Sequence, residues 1–100
     1  MSGYREADRR AQVGAVCRAL ASRSRRQILN RLRIGPKSVG QIASAMPMIS
    51  RPAISQHLRI LLETSLVTYE TQGRRSLYRL NLRGLKNLRQ YMGSLGLSWN

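Results

Sequence analysis

Three serines divide the first two thirds of this chain into short helices. Ser22, Ser38 and Ser50 each stand at or just before the start of a run in which apolar residues recur at three- and four-residue spacing. A serine in that place accepts a hydrogen bond from a backbone N–H that the first helical turn leaves without a partner, so it marks a helix start. Ser38-Val39-Gly40-Gln41 adds a glutamine three residues on, the reciprocal capping box. Pro52 falls in the first turn after Ser50, where its missing N–H is harmless. Gly35-Pro36 and Pro47 end the runs that precede them.

The spacing predicts four helices in this region. Val13, Val16, Cys17 and Leu20 mark one face of the first, and Ile28, Leu29 and Leu32 of the second. Val39, Ile42, Ala43 and Met46 turn inward from a short third helix. A longer fourth, from about Arg51 to Glu63, carries Ile54, Leu58, Leu61 and Leu62 on one stripe and Arg51, Ser55, Gln56 and Arg59 opposite. A short helix and a longer one joined by a tight connection form a helix-turn-helix candidate over residues 39–63.

The texture then changes to β-branched and aromatic residues. Leu66-Val67-Thr68-Tyr69-Glu70-Thr71 is matched by Ser76-Leu77-Tyr78-Arg79-Leu80, with Gln72-Gly73-Arg74-Arg75 between them. Gly73 is available for a positive-φ turn position, which predicts a hairpin over 66–81 with a doubly cationic tip at Arg74 and Arg75. Leu82, Leu85, Leu88, Met92 and Leu95 suggest a last helix over 82–95, weakened by Gly84 and Gly93. Residues 1–9 are polar and read as an N-terminal extension, with the first helix over 10–20. The expected architecture is mainly α with one β-hairpin: four helices, a wing and a fifth helix, a winged helix-turn-helix in a single domain spanning 1–100.

Charge narrows the partner. The chain has 100 residues, with 18 Lys and Arg against 4 Asp and Glu, a formal net charge of +14. Only Lys37 and Lys86 are lysines, and arginine offers a permanently charged planar fork suited to phosphate and guanine. A polyanion is therefore the leading partner. The 42% hydrophobic content is too high for a disordered basic tail. The longest aliphatic runs fall far short of a membrane span, and no apolar stretch follows the polar start as in a secretory signal, so the chain reads as soluble and cytoplasmic. Its arginines are spread over several elements and no strongly amphipathic basic helix dominates, so a membrane surface or a protein partner ranks last and no membrane partner is expected. One cysteine and one histidine exclude a disulfide framework or a multi-ligand zinc site within one chain. With so few such residues, scattered along the chain, no catalytic dyad can be drawn, and the chain is not expected to be an enzyme.

Three parts of the chain resemble a known family. Ala19-Leu20-Ala21-Ser22-Arg23-Ser24-Arg25-Arg26-Gln27-Ile28-Leu29 resembles the A-L-A-x-x-x-R-x-x-I-L opening of the ArsR/SmtB repressors. Ser50-Arg51-Pro52-Ala53-Ile54-Ser55-Gln56-His57-Leu58-Arg59-Ile60-Leu61 is similar to that family's recognition helix, and Leu66-Val67 with Gly73-Arg74-Arg75-Ser76-Leu77-Tyr78-Arg79-Leu80 to its wing. Together they cover roughly residues 11–81. One departure is visible: Met46-Pro47-Met48-Ile49-Ser50 holds one residue more than the family's usual connection.

The resemblance implies a dimeric transcriptional repressor on double-stranded DNA, with its first and last helices at the dimer interface. Val13, Val16, Cys17, Leu20, Leu85, Leu88 and Met92 are the interface candidates. For Cys17 the reading as a small buried hydrophobe outweighs a redox role. Ser55 and Gln56 are the implied base readers. Gln56 can pair adenine N6 and N7, and Arg51 can fork onto guanine O6 and N7. Arg59 is an implied phosphate contact, and Ser50, at the helix start, is a further DNA-binding candidate. Arg74 and Arg75 would reach the minor groove or flanking phosphates from the wing. His57 suits a structural hydrogen bond or a phosphate contact better than a metal. Arg25 and Arg26 divide evenly between phosphate contact and ordinary surface pairing.

The family's metal sensors place a C-x-C pattern at the start of the third helix, or Asp, His and Glu in the last. Ser38 and Gly40 stand at the first site, and residues 82–100 hold no acid, histidine or cysteine. No metal site or cofactor is therefore expected, while a small-molecule or redox effector stays open. The rival reading is a structural RNA-binding or ribosome-associated basic protein. The succession of capped helices and the arginine-tipped wing argue against it.

Overall fold

The computed structural model describes residues 6–97. Helices α1 (Glu6–Ala21), α2 (Arg23–Leu32), α3 (Val39–Ala45) and α4 (Arg51–Glu63) are followed by strands β1 (Val67–Gln72) and β2 (Arg75–Leu80). A 3-10 turn (Leu82–Leu85) then runs into α5 (Lys86–Ser94). This order is a winged helix-turn-helix, with α3 and α4 as the helix pair and β1–β2 as the wing.

The serine starts form as the sequence predicts. The Ser22 hydroxyl accepts from the Arg25 N–H at 3.2 Å and the Ser50 hydroxyl from the Ala53 N–H at 3.3 Å. At Ser38 the box closes both ways: Gln41 N–H donates to the hydroxyl at 3.1 Å, and Ser38 N–H donates to Gln41 Oε1 at 2.9 Å. Two boundaries differ from the expected ones. α1 is already helical at Glu6, the first described residue, not from residue 10. Glu6 and Asp8 put carboxylates at the positive end of the helix dipole, and Glu6 also lies 3.9 Å from Arg9, so the polar start suits a helix. The last helix is split, because the Asn81 side chain accepts from Arg83 N–H and opens a tighter 3-10 turn before α5.

The core lies where α2, α3, α4 and the base of the wing meet. Ile28, Ile42, Ile54, Leu58 and Leu61 are fully buried, and Val16, Leu32, Leu66 and Val67 nearly so. Leu61 and Leu66 also close the end of α4. Leu66 N–H donates to Leu61 O at 2.9 Å and Ser65 N–H to Leu62 O at 3.0 Å, the double bond pattern of a Schellman ending. That ending needs a left-handed residue, and Ser65 supplies it at φ +61° where glycine is usual. Asn81 then holds the reversed chain from the far side of the wing. Its Nδ2 donates to Ser65 O at 2.8 Å and its N–H to Leu66 O at 2.9 Å.

The wing is an antiparallel pair running from Val67 opposite Leu80 to Gln72 opposite Arg75. The two-residue connection is Gly73-Arg74. With Gly73 at φ +61° and Arg74 outside the positive-φ region, it belongs to the II′ class that matches strand twist. Tyr69 and Tyr78 pack edge to face across the pair, their centroids 5.1 Å apart, and Arg79 Nε donates to Glu70 Oε1 at 3.0 Å. The wing is also tied to the helix pair. Lys37, just ahead of α3, exchanges two backbone hydrogen bonds with Tyr78, at 3.0 and 2.8 Å. Among the described residues no helix is long and apolar enough to cross a membrane.

The close approach at Gly84 makes a stability prediction. A Cβ there would stand 2.3 Å from Ser65 O and 2.9 Å from Leu66 N, both of them backbone atoms. Gly84→Ala should lower unfolding free energy by about 2 kcal/mol or more through overpacking. Ser65→Gly, which relieves the left-handed backbone, should raise it by about 1 kcal/mol. Urea midpoints measure both, and the two shifts should have opposite signs.

Candidate nucleic-acid interface

α4 shows two unlike faces because its core stripe is sealed. With Ile54, Leu58 and Leu61 at 0% exposure, Arg51, Ser55, Gln56 and Arg59 are all turned to solvent. Arg51, Ser55 and Arg59 follow one another at four-residue steps, so they line one stripe, with Gln56 beside it. This is the arrangement that a helix lying in a DNA major groove requires. Ser50 is exposed as well, but its hydroxyl is already engaged as the cap.

Arg51 borders a surface groove of about 660 Å³ that it shares with Ser38, Gly40, Gln41 and Ser44 of the α3 region. Its Nη2 lies about 4.0 Å from where a Cβ on Gly40 would stand, so the absent side chain leaves room for the guanidinium. The longer connection between the helices is absorbed in a turn. Ile49 N–H donates to Met46 O at 3.1 Å, and Met48 is pushed out to 96% exposure. Arg74 is the exposed second residue of the wing turn, whereas Arg75 opens β2 opposite Gln72. The tip itself thus has one arginine, with the other at the strand end.

Arg25 and Arg26 take a place that neither sequence alternative described. α1 ends with carbonyls that have no helical partner. Arg25 Nε donates to Ala19 O at 2.9 Å and its Nη2 to Arg18 O at 3.0 Å, while Arg26 Nη1 donates to Leu20 O at 2.6 Å. Arg25 Nη1 also lies 3.3 Å from Nδ1 of His57, joining α2 to the recognition helix. Sequence reading missed this link. The available signal was the fixed arginine of the A-L-A-x-x-x-R pattern.

The expected interface residues separate into two groups. Val13, Leu20, Leu85, Leu88 and Met92 are half-buried along α1, the 3-10 turn and α5, but Val16 is only 3% exposed and belongs to the chain's own core. Cys17, read as a buried small hydrophobe, is instead exposed. Val16 and Ala19 take the inward positions of α1, and one further residue around the helix brings Cys17 to the rim of a groove between α1 and α5. That groove, about 500 Å³, is lined also by Val13, Gly14 and Tyr91. Asn87 Nδ2 donates to Gln12 Oε1 at 2.6 Å and holds the two helices together. Trp99, which the sequence leaves open between dimer packing and a loose tail, lies outside the described residues. Among those described, no group of three or more His, Cys, Asp or Glu is placed to hold a metal.

Burial first, and the Arg25 charge second, hold the His57 imidazole below its ordinary pKa. The unfolded chain, with an ordinary value of about 6.5, therefore binds a proton at a pH where the folded chain does not. Stability should rise with pH across that window and be lost as pH falls from about 7 through the lowered folded value. Urea unfolding between pH 5 and 7.5 should show this slope in the wild type and a shallower one in His57→Gln.

The family model described as "Bacterial regulatory protein, arsR family" matches residues 22–69, from the cap of α2 into β1. The chain is 45% identical over 89 residues to the HTH-type transcriptional regulator Rv2034 of Mycobacterium tuberculosis, covering 89% of this chain and 77% of that one. It is 34% identical over 77 residues to the transcriptional repressor SdpR of Bacillus subtilis, covering 77% and 84%. Among solved structures it is similar to the homodimeric winged helix-turn-helix DNA-binding domain of Mb0332 from Mycobacterium bovis, with a TM-score of 0.72 and 30% identity over 96% of this chain and 90% of that one. With the capped helix pair, the arginine-tipped wing and these likenesses in hand, the chain belongs to the ArsR family of bacterial regulatory proteins.

Proposed function

We propose that this chain is a homodimeric, cytoplasmic transcriptional repressor that occupies a palindromic DNA operator. The observation that supports it most is the exposed stripe of α4, Arg51, Ser55 and Arg59 with Gln56 beside it, backed by three fully buried residues. Ser55 is short enough to let the helix approach base edges, and Gln56 can accept and donate at once to adenine. Arg51, bordering the groove with α3, reaches guanine or the adjacent phosphate. Arg59 and the wing arginines Arg74 and Arg75 contact the DNA backbone, which sets register and affinity rather than sequence.

The dimer reading draws on α1 and α5. Tyr91, which lines the α1–α5 groove, is 49% exposed, and Leu95 and Leu97, just past the end of α5, are 59% and 51% exposed, apolar surface that a second copy would cover. The similar domain of Mb0332 is homodimeric. Two recognition helices related by a two-fold axis would meet half-sites about 34 Å apart, and the dimer would occlude the promoter by occupancy.

Three measurements on duplexes that the wild type selects test this reading. Gln56→Ala should relax base preference at one position per half-site and cost about 1–3 kcal/mol on the preferred sequence. Unchanged preferences would remove its role. Arg74→Ala should weaken all duplexes alike and flatten the slope of log K against log salt by about one per wing. Tyr91→Asp should raise the dimer dissociation constant at least about tenfold in sedimentation equilibrium, and operator affinity should fall with it. A dimer untouched by that charge would place the interface elsewhere.

A further inference from the structure

We propose that Arg25 is a positioning residue: it fixes the ring of His57 so that Nε2–H can donate to a DNA phosphate, and it locks α4 to the end of α1. This rests on reading α4 as the recognition helix. The observation is one guanidinium with three simultaneous partners: Ala19 O at 2.9 Å, Arg18 O at 3.0 Å and His57 Nδ1 at 3.3 Å. The two carbonyls lie in the last turn of α1, and Arg26 binds the carbonyl of Leu20 beside them. Because the guanidinium is planar and its donors point in fixed directions, satisfying two carbonyls sets the direction of the third N–H.

The chemistry of that third contact decides the state of the imidazole. An arginine has no acceptor and keeps its charge, so Nδ1 of His57 must offer a lone pair. In the neutral ring the proton is then on Nε2. His57 is half-buried and sits between the exposed Gln56 and the sealed Leu58. Its edge position on α4 suits a donor to the phosphate chain bordering the groove rather than to a base. A free imidazole would divide its proton between the two nitrogens and its ring between rotamers. Arg25 removes both freedoms. It also makes the placement of α4 depend on where α1 ends, and α1 is an element of the proposed dimer surface.

The test separates the two ring nitrogens. His57→Asn places an amide oxygen near Nδ1 and keeps the Arg25 contact, while His57→Gln places an amide N–H near Nε2 and keeps the donor. Operator affinity at fixed salt should fall about threefold for the Gln variant, which keeps the donor but loses the Arg25 contact, and about tenfold for the Asn variant, which loses the donor. Imidazole ¹⁵N spectra of the DNA-free protein at pH 8 should show Nδ1 unprotonated and Nε2 protonated. In Arg25→Lys, which keeps the charge and loses the fork, the spectra should move to a mixture of tautomers.

Equal affinities for the Asn and Gln variants would overturn the proposal, as would a proton on Nδ1 in the wild type. So would a tautomer indifferent to Arg25→Lys. If Arg25→Lys fails to fold, the His57 pair still decides. If the wild type binds no duplex at all, the DNA reading fails, while the spectra still report whether Arg25 sets the ring.

Discussion

The burial of three side chains on α4 controls most of what this molecule can do. Ile54, Leu58 and Leu61 have no solvent exposure, and rotating the helix to show any of them would cost on the order of 2 kcal/mol per side chain. The rotational setting of α4 is therefore fixed, and with it the identity of the exposed face. Ser50 fixes where the helix begins, and the Schellman ending through Ser65 and Leu66 fixes where it stops and in which direction the chain leaves. The wing follows from that exit direction. The Lys37–Tyr78 bridge then ties the wing to the segment that enters α3, so the helix pair and the hairpin are held as one unit.

Charge acts on a different scale. The 18 cationic side chains repel one another, and the four acids bring the formal charge down only to +14; Glu70 is engaged with Arg79, and Glu6 lies beside Arg9. Some arginines are taken up internally, as Arg25 and Arg26 are by the carbonyls of α1. Those still exposed on α4 and the wing, Arg51, Arg59, Arg74 and Arg75, form a smaller set whose places in the fold are fixed by packing. The general field would speed and strengthen association with any duplex. In the proposed reading, discrimination between duplexes would fall to short or bidentate side chains at Ser55, Gln56 and Arg51. Affinity and specificity would then rest on different residues.

What could be read from the sequence was local. A cap, a capping box and a two-residue turn are decided within a few residues, so Ser22, Ser38, Ser50 and Gly73 announce themselves, and the stripe Ile54, Leu58, Leu61 follows from helical period. What escaped depends on residues far apart in the chain. Ser65 occupies a place where glycine is the usual signal, so the end of α4 carried no glycine marker. Gly84 looked like a weak point in a helix, whereas it makes room for the backbone at Ser65, nineteen positions earlier. Arg25 and His57 meet across thirty-two positions, and no periodicity reports such a pair. Cys17 was misplaced because its apolar neighbours Val13, Val16 and Leu20 define a face too broad to say which edge the core takes. The family pattern marked the arginine without revealing that it ties the helices.

The central claim is that two copies of α4, held in a fixed setting, read symmetric DNA. Selection of bound duplexes from a random library at stated salt tests it most directly. The expected result is an inverted-repeat consensus with half-site centres about one helical turn apart and the strongest preference beneath the helix starts. No consensus, or a non-symmetric one together with tighter binding to structured RNA, would contradict it.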